Sequence, residues 1–338
     1  MEDTRRIVLI GKSGSGKSNL ANTIFGDSVF NVNHSSDSKS NFSQAKTRVM
    51  NGLTLTLIDT PGIYNIDRTQ EEIQREIFSC YIESSPGPHA FIFVLLVEKF
   101  TEQEQAIVDQ IQRDFGDDVF RYTTVVFTHG DQLPETMKIS EFVSQSNGLR
   151  DLVQKCGNRC YVIDNKYWNN TMLNEYRSNR FQIQQILHSI ESTCRQNSNG
   201  YFVNEMLQQV EIDIQKEQDR IRKSGGRAAG ESRDEAKQIV LQNYMKRQRK
   251  KRFLKYAIIV SGISVISYIL MSKVVGFFMG TVASEGAPVG SEVLSSSVVE
   301  VVQDAVAPIK SALDYVIEII EAVFNRRTRL QYNKTDAL

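Results

Sequence analysis

Gly11-Lys12-Ser13-Gly14-Ser15-Gly16-Lys17-Ser18 follows a short apolar run, Ile7-Val8-Leu9-Ile10, and precedes a helix-compatible stretch from Asn19 to Phe25. A glycine-rich segment ending in Gly-Lys-Ser between a strand and a helix is a phosphate loop in its expected setting. Glycines let successive backbone N–H groups turn toward one anion, and the helix N-terminus that follows favours negative charge. Lys17 brings a point charge for β- and γ-phosphates, and Ser18 a hydroxyl for Mg²⁺. Candidate phosphate contacts are therefore Gly11, Ser13, Gly14, Ser15, Gly16, Lys17, Ser18 and Asn19. A loop of this kind needs a strand to feed it and a helix to leave it. The expected fold is α/β, a mostly parallel sheet with helices on both faces.

Two further segments decide what is bound. The strand-like Leu53 to Ile58 ends in Asp59-Thr60-Pro61-Gly62, and Thr123 to Phe127 runs into Thr128-His129-Gly130-Asp131. Asp59 is placed as the metal-side carboxylate, with the Gly62 amide available to sense a γ-phosphate. A carboxylate at the position of Asp131 can accept hydrogen bonds from guanine N1 and N2. Alone, Asp-Thr-Pro-Gly is an ordinary turn. In the order phosphate loop, Asp-x-x-Gly, Thr-x-x-Asp, each at a strand end, the three imply a GTP-hydrolysing domain of the P-loop GTPase fold, with GTP or GDP and Mg²⁺ as ligands. A P-loop kinase or ATPase lacks such support.

The chain resembles the AIG/GIMAP GTPases, relatives of septins and chloroplast Toc receptors. The resemblance is carried by the segments above, by Ser85-Pro86-Gly87-Pro88-His89-Ala90 with Phe100-Thr101-Glu102-Gln103-Glu104 after it, and by Cys156-Gly157-Asn158-Arg159-Cys160. It covers about residues 4 to 200 and then fades. It implies that Asn165 sits beside the guanine and that His129 lies against the base plane. The family commonly has Arg-Lys where this chain has His129-Gly130, although an imidazole can also stack on a base. Its first switch carries a threonine whose place, counted without gaps, falls on Ser40, a second candidate Mg²⁺ hydroxyl beside Ser18. It also implies nucleotide-dependent dimerisation or oligomerisation through the GTPase domain. Ile63 stands where Ras-type enzymes carry the water-orienting glutamine. No catalytic base is therefore assigned; Lys17 and Gly62 are read as phosphate stabilisers, and slow turnover is expected. The alternative is a GTP-stabilised scaffold without turnover.

Strands are expected near Arg5 to Ile10, Thr47 to Asn51, Leu53 to Ile58, Ala90 to Val97, Thr123 to Thr128 and Cys160 to Ile163. Thr101 with Glu104 forms a capping box for a helix through Phe115, with Ala106, Ile107, Ile111 and Phe115 on its apolar face. Phe181 to Cys194 reads as the closing helix of a domain spanning residues 1–200, with a boundary at Asn197-Ser198-Asn199-Gly200. Cys156 and Cys160 have no second His or Cys pair at metal spacing, so they read as a turn before a strand. All four cysteines are expected to be reduced, and the first strand begins too close to Met1 to leave room for a cleaved leader.

Beyond residue 200 the composition changes. Residues 201–252 form a charged helical extension, first Tyr201 to Arg222 with Met206, Val210 and Ile214 on one stripe, then Glu231 to Arg252, which ends in Lys246-Arg247-Gln248-Arg249-Lys250-Lys251-Arg252. The first of these helices either packs back on the domain or meets another molecule. From Tyr256 to Ser272 there is no charged residue, and after Lys273 the uncharged run resumes through Ser284. With six cations in the seven residues before it, the segment 253–284 is expected to enter a membrane, as a single-pass C-terminal anchor in preference to a re-entrant hairpin or a surface-lying segment, leaving the GTPase domain in the cytosol. Residues 285–338 carry an amphipathic helical tail. Membrane lipids and protein effectors are the expected further partners. The formal net charge is zero, so no nucleic-acid-binding field is implied.

Overall fold

The computed structural model describes residues 4–32, 42–50, 52–62, 69–168, 175–225, 230–250 and 252. The expected membrane segment 253–284 and the tail 285–338 lie outside the described residues, as do Ser40 and Ile63. Among the described residues, no helix is long and apolar enough to cross a membrane. The chain divides at Met245 into two compact units, and the elements below belong to the first.

The elements run β1 (Thr4–Ile10), α1 (Lys17–Phe25), β2 (Gln44–Met50), β3 (Leu53–Asp59), α2 (Gln70–Ser84), β4 (Ala90–Leu96), α3 (Glu102–Phe115), β5 (Thr123–Thr128), α4 (Ile139–Ser144), α5 (Asn147–Lys155), β6 (Cys160–Val162), α6 (Asn179–Gln196) and α7 (Glu205–Gly225). Residues 230–245 lie in a further helix. The six strands lie in the order β2-β3-β1-β4-β5-β6. Only β2 is antiparallel, paired with β3 from Gln44↔Asp59 to Met50↔Leu53. The expected open, mostly parallel sheet is the one observed. Its central strands are continuously apolar because helices cover both sides, and Ala90 through Val94 are fully buried.

Two cores follow from the alternation of side chains across the sheet. Ile7, Leu9, Leu57, Ile92 and Val126 face α1 and α6, meeting Leu20, Ile24, Ile186 and Ile190. Val8, Ile58, Phe91, Phe93, Val125 and Phe127 face the opposite way, toward α2, α3, α5 and α7. Helix α3 starts at the expected capping box: the Thr101 side chain accepts from the first-turn backbone while Glu104 accepts from the Thr101 amide. Its buried face is Ile107, Val108, Ile111 and Phe115, whereas Ala106 is exposed. The apolar arc is centred one position further along than the sequence spacing suggested.

Helix α7 packs back on this second core. Leu207, Val210, Ile214 and Ile221 are buried. Met206, expected on the stripe, is 46% exposed; positions 206 and 207 both fit an i, i+3/i+4 pattern with Val210, and the larger buried set selects Leu207. Residues 230–245 add Ala236 and Val240 to the same core, and Tyr244 stacks on Phe78 of α2 with ring centroids 3.6 Å apart. Arg233 pairs with Glu211 at 2.6 Å across the two helices.

The Pro86-Gly87-Pro88-His89 segment lies at the amino edge of the sheet. The Arg6 amide donates to His89 Nδ1 at 3.0 Å, Arg6 Nε donates to the Gly87 carbonyl at 2.8 Å, and the Phe202 amide donates to the Pro88 carbonyl at 2.8 Å. This segment anchors the entrance to α7 and contributes nothing to the phosphate-loop edge.

Leu207→Ala is expected to cost about 2–5 kcal/mol in urea unfolding, the usual range for a buried leucine. Met206→Ala should stay within about 0.5 kcal/mol. Equal costs for the two would contradict the packing of α7 against the core.

Candidate nucleotide-binding site

The parallel register of β1, β3, β4, β5 and β6 brings their carboxyl ends to one edge, where ligands of open α/β sheets bind. Gly11 to Gly16 turns there between β1 and α1, and the other motif segments leave from neighbouring strands. Lys17 is buried, and its Nζ donates to the carbonyls of Gly11 at 3.1 Å and Lys12 at 2.8 Å. Its ammonium is thus held across the mouth of the turn. Lys12 points the other way, to Glu104 Oε1 at 2.8 Å. Burial works to raise the Glu104 carboxyl, but the Lys12 ammonium and Thr101 outweigh it and hold it below the usual carboxylate range. Glu104 therefore caps α3 and steadies the phosphate loop at once.

Ser18 Oγ donates to Asp59 Oδ2 at 2.5 Å, so the hydroxyl and the carboxylate predicted to share a metal are adjacent. Asp59 Oδ1 is shielded from solvent and has no hydrogen-bond partner. Loss of water pushes the Asp59 carboxyl above its ordinary value, partly offset by the Ser18 hydrogen bond and the Lys17 charge. An unsatisfied buried carboxylate oxygen beside a serine hydroxyl is an oxygen-only donor set that suits Mg²⁺. Thr60 Oγ1 donates to the Leu9 carbonyl at 2.7 Å and locks the end of β3 onto β1. Gly62 (φ +73°) comes so close to the phosphate loop that a Cβ there would lie 2.7 Å from the Ser13 nitrogen. Its amide donates to the Thr60 carbonyl at 2.8 Å, not toward the loop.

The base-side residues assemble next to this. Thr128 is fully buried, and its hydroxyl donates to the Ser15 carbonyl at 2.9 Å, fastening the end of β5 to the phosphate loop. Sequence reasoning used Thr128 as a motif marker and missed its side-chain role; a buried hydroxyl at a strand end next to a loop was the available signal. His129, exposed and at φ 60°, places Nδ1 3.2 Å from Thr128 Oγ1. Asn165 Oδ1 accepts from Thr23 Oγ1 of α1 at 3.1 Å, so the turn after β6 reaches over the helix that follows the phosphate loop. Asp131 is exposed in the short 3-10 turn Gly130–Gln132. Gly11, Ser13, Gly14, Ser15, Gly16, Ser18, Asn19, Asp59, Gly62, His129, Asp131 and Asn165 thus lie on adjoining loops, at the end of β3 or in the first turn of α1, all at one sheet edge.

The family model described as "AIG1 family" matches residues 5–223. Immune-associated nucleotide-binding protein 9 of Arabidopsis thaliana is 27% identical over 219 residues, 64% of this chain and 62% of that protein. GTPase IMAP family member 8 of Homo sapiens is 30% identical over 199 residues, 59% of this chain and 29% of that protein. Less than two thirds of either relative is therefore spanned. Among solved structures, a dimerization-deficient mutant of Toc33 from Arabidopsis thaliana aligns with a TM-score of 0.49 and 19% identity, covering 57% of this chain and 85% of that one.

A raised carboxyl binds protons more tightly folded than unfolded, so Asp59 subtracts stability as pH rises from its ordinary value through its raised one. Asp59→Asn should therefore raise the urea midpoint of the nucleotide-free protein at neutral pH and abolish the further stabilisation that Mg²⁺ with nucleotide confers. A lower midpoint in the variant would show that the carboxylate is satisfied in the free protein.

Proposed function

The chain belongs to the AIG1 family, and from that premise we propose that it is a Mg²⁺-dependent, guanine-nucleotide-binding GTPase with low intrinsic turnover. The observation that carries this reading is the convergence, at one sheet edge, of the Lys17 loop, the Ser18–Asp59 pair and the Thr128-to-Asp131 turn tied to that loop. Lys17 and the loop amides would bind the β- and γ-phosphates. Ser18 and Asp59, with Ser40 as the third candidate, would hold Mg²⁺, which supplies charge neutralisation on the phosphate oxygens when bound. Asp131 would accept from the base edge, His129 would lie on its face, and Asn165 would lie beside it. Gly62 would have to release its bond to Thr60 to turn its amide toward a γ-phosphate.

Low turnover follows from Ile63, whose side chain has no group to orient water. Stimulation by self-association through the GTPase domain, residues 1–200, supplies the missing group in this proposal. A membrane location for the chain rests on the uncharged segment 253–284 and the cations before it. The cytosol-facing side would hold the GTPase domain and the extension 201–252.

The test is GTP hydrolysis by residues 1–250 over a wide range of protein concentration, with ATP as control. A specific rate that rises with concentration is the expected result. Tight GTP binding with a flat, negligible rate would instead describe a nucleotide-stabilised scaffold, and preference for ATP would sink the guanine assignment. Lys17→Ala should weaken GTP binding by about a hundredfold or more, as loss of charge-assisted contacts to phosphate implies. Asp131→Asn should shift preference toward xanthine nucleotides; unchanged selectivity would remove Asp131 from the pocket.

A further inference from the structure

Behind the Asp131 turn lies a second carboxylate that the proposed function does not use. Asp164 is 2% exposed and follows the end of β6. Its Oδ1 accepts from the amides of Lys166 at 2.9 Å and Tyr167 at 2.5 Å, and its Oδ2 accepts from the Asp131 amide at 3.3 Å. Asn179, at the start of α6, clamps the Asp164 backbone from both sides. It accepts from the Asp164 amide at 3.0 Å and donates to the Asp164 carbonyl at 2.5 Å. The Gly130 amide donates to the Ile163 carbonyl at 2.9 Å. Trp168 fills the space under Gly130, where an added Cβ would lie 2.7 Å from the indole, and Arg177 covers that indole at 5.4 Å. The turn that carries Asp131 is therefore supported by the segment from Ile163 to Trp168. Asn165, the other base-side candidate, belongs to that same segment.

The two carboxyl groups also share a hydrogen bond. That bond, with some loss of water, raises Asp131 above its ordinary value. Burial alone would raise Asp164 too, but the Tyr167 amide, the bond from Asp131 and the Lys166 amide outweigh it and hold Asp164 low. Asp131 is therefore the first of the two to take up a proton as pH falls. The other charged groups facing the pair are His129, which works to lower Asp131, and the exposed Lys166 ammonium, which faces both carboxylates.

Resting on the guanine-pocket reading above, we propose that Asp164 is a positioning and specificity-determining residue. It fixes Asp131 against the N1 and N2 edge of the base and so governs how strongly guanine is preferred to the same base without its 2-amino group. The chemistry behind this is direct. An ionised Asp131 accepts from both N1–H and N2–H, whereas a protonated one keeps a hydrogen where an acceptor is needed. The Lys166 and Tyr167 amides fix the buried Asp164 carboxylate and hold it below its ordinary value, and through the Asp131 amide it ties the turn to its own segment. It also makes ionisation of its neighbour harder, so guanine preference falls as pH drops through the raised Asp131 value.

The experiment measures equilibrium binding of GTP and ITP to the full chain with Mg²⁺, from about pH 4.5 to about pH 7.5, a range that brackets raised carboxyl values. The ratio of the two affinities isolates the 2-amino contact and cancels protonation at Asp59 and the phosphate loop. In the unsubstituted protein this ratio should be about tenfold or more at the upper end, the worth of one charge-assisted hydrogen bond, and fall toward the lower end. Asp164→Asn keeps an acceptor for the Lys166 and Tyr167 amides, can donate to Asp131, and removes the second charge. It should move the fall in the ratio to lower pH. Asp164→Ala removes the support and should lower the ratio several-fold at the upper end of the range, with thermal melting used to confirm that the variant is folded. Superposable profiles for the unsubstituted protein and Asp164→Asn would overturn the inference, as would an unchanged ratio in a folded Asp164→Ala. Failure of the unsubstituted protein to bind either nucleotide would overturn the guanine-pocket reading itself, and the inference with it.

Discussion

Parallel pairing around β1 is the constraint on which the rest depends. The register Leu9↔Asp59 sets the end of β3 beside the end of β1, Leu96↔Thr128 does the same for β4 and β5, and Phe127↔Val162 extends it to β6. A slip of one residue would send each strand's side chains into the opposite core, and the different packing of the two cores forbids it. Once the register is held, all the polar loops must emerge at one edge. Where the backbone ladder stops, side-chain hydroxyls take over: Thr60 bonds the Leu9 carbonyl and Thr128 the Ser15 carbonyl. Each is a short threonine whose hydroxyl continues the cross-strand bonding into a loop. Both are buried, so each bond is made in a medium where its loss would leave a polar group without water.

The opposite edge does different work. Arg6, His89, Gly87, Pro88 and Phe202 interlock there through backbone and ring-nitrogen bonds, and Arg6 lies over the Tyr201 ring at 5.4 Å. Burial lowers the Arg6 guanidinium from its ordinary value, while Glu211 supplies a compensating negative charge. The most distinctive short segment of the sequence, Pro-Gly-Pro-His, thus belongs to the attachment of α7 and not to ligand chemistry. Motif specificity and functional contact are separable here because a rigid amino edge lets the carboxyl edge carry loops.

The strands could be read from the sequence because a buried parallel strand is a continuous apolar run bounded by turn residues, as in Ile7 to Ile10 and Ala90 to Val94. The α3 start was readable for a similarly local reason: Thr101 and Glu104 satisfy each other's backbone within one turn. Faces of helices were less so. Ala106 and Met206 are apolar and correctly spaced, yet both are exposed, because which of two neighbouring stripes faces inward is decided by the partner surface. In the candidate site, the phosphate loop, Asp59 and Asp131 announce themselves by residue type at a strand end. Thr128, Asp164 and Trp168 do not, since their roles consist of contacts made 11 to 113 positions away, such as Thr128 with Ser15, Asp164 with Asn179 and Trp168 with Asn179.

Two carboxylates at the same sheet edge are pushed in opposite directions, and the difference lies in their donors. Asp59 has one hydroxyl bond and a buried oxygen without a partner, so loss of water dominates and its carboxyl rises. Asp164 is buried too, but three backbone amides point at it and its carboxyl falls. Burial alone therefore does not assign a role. A carboxylate saturated by fixed amides is a structural anion that can impose order on neighbouring loops. One left short of donors is destabilising in the free protein and gains most when a cation arrives. The same edge thus separates a group built to hold geometry from a group built to receive charge, and the loops between them are where a nucleotide carrying both a base and phosphates would need those two properties.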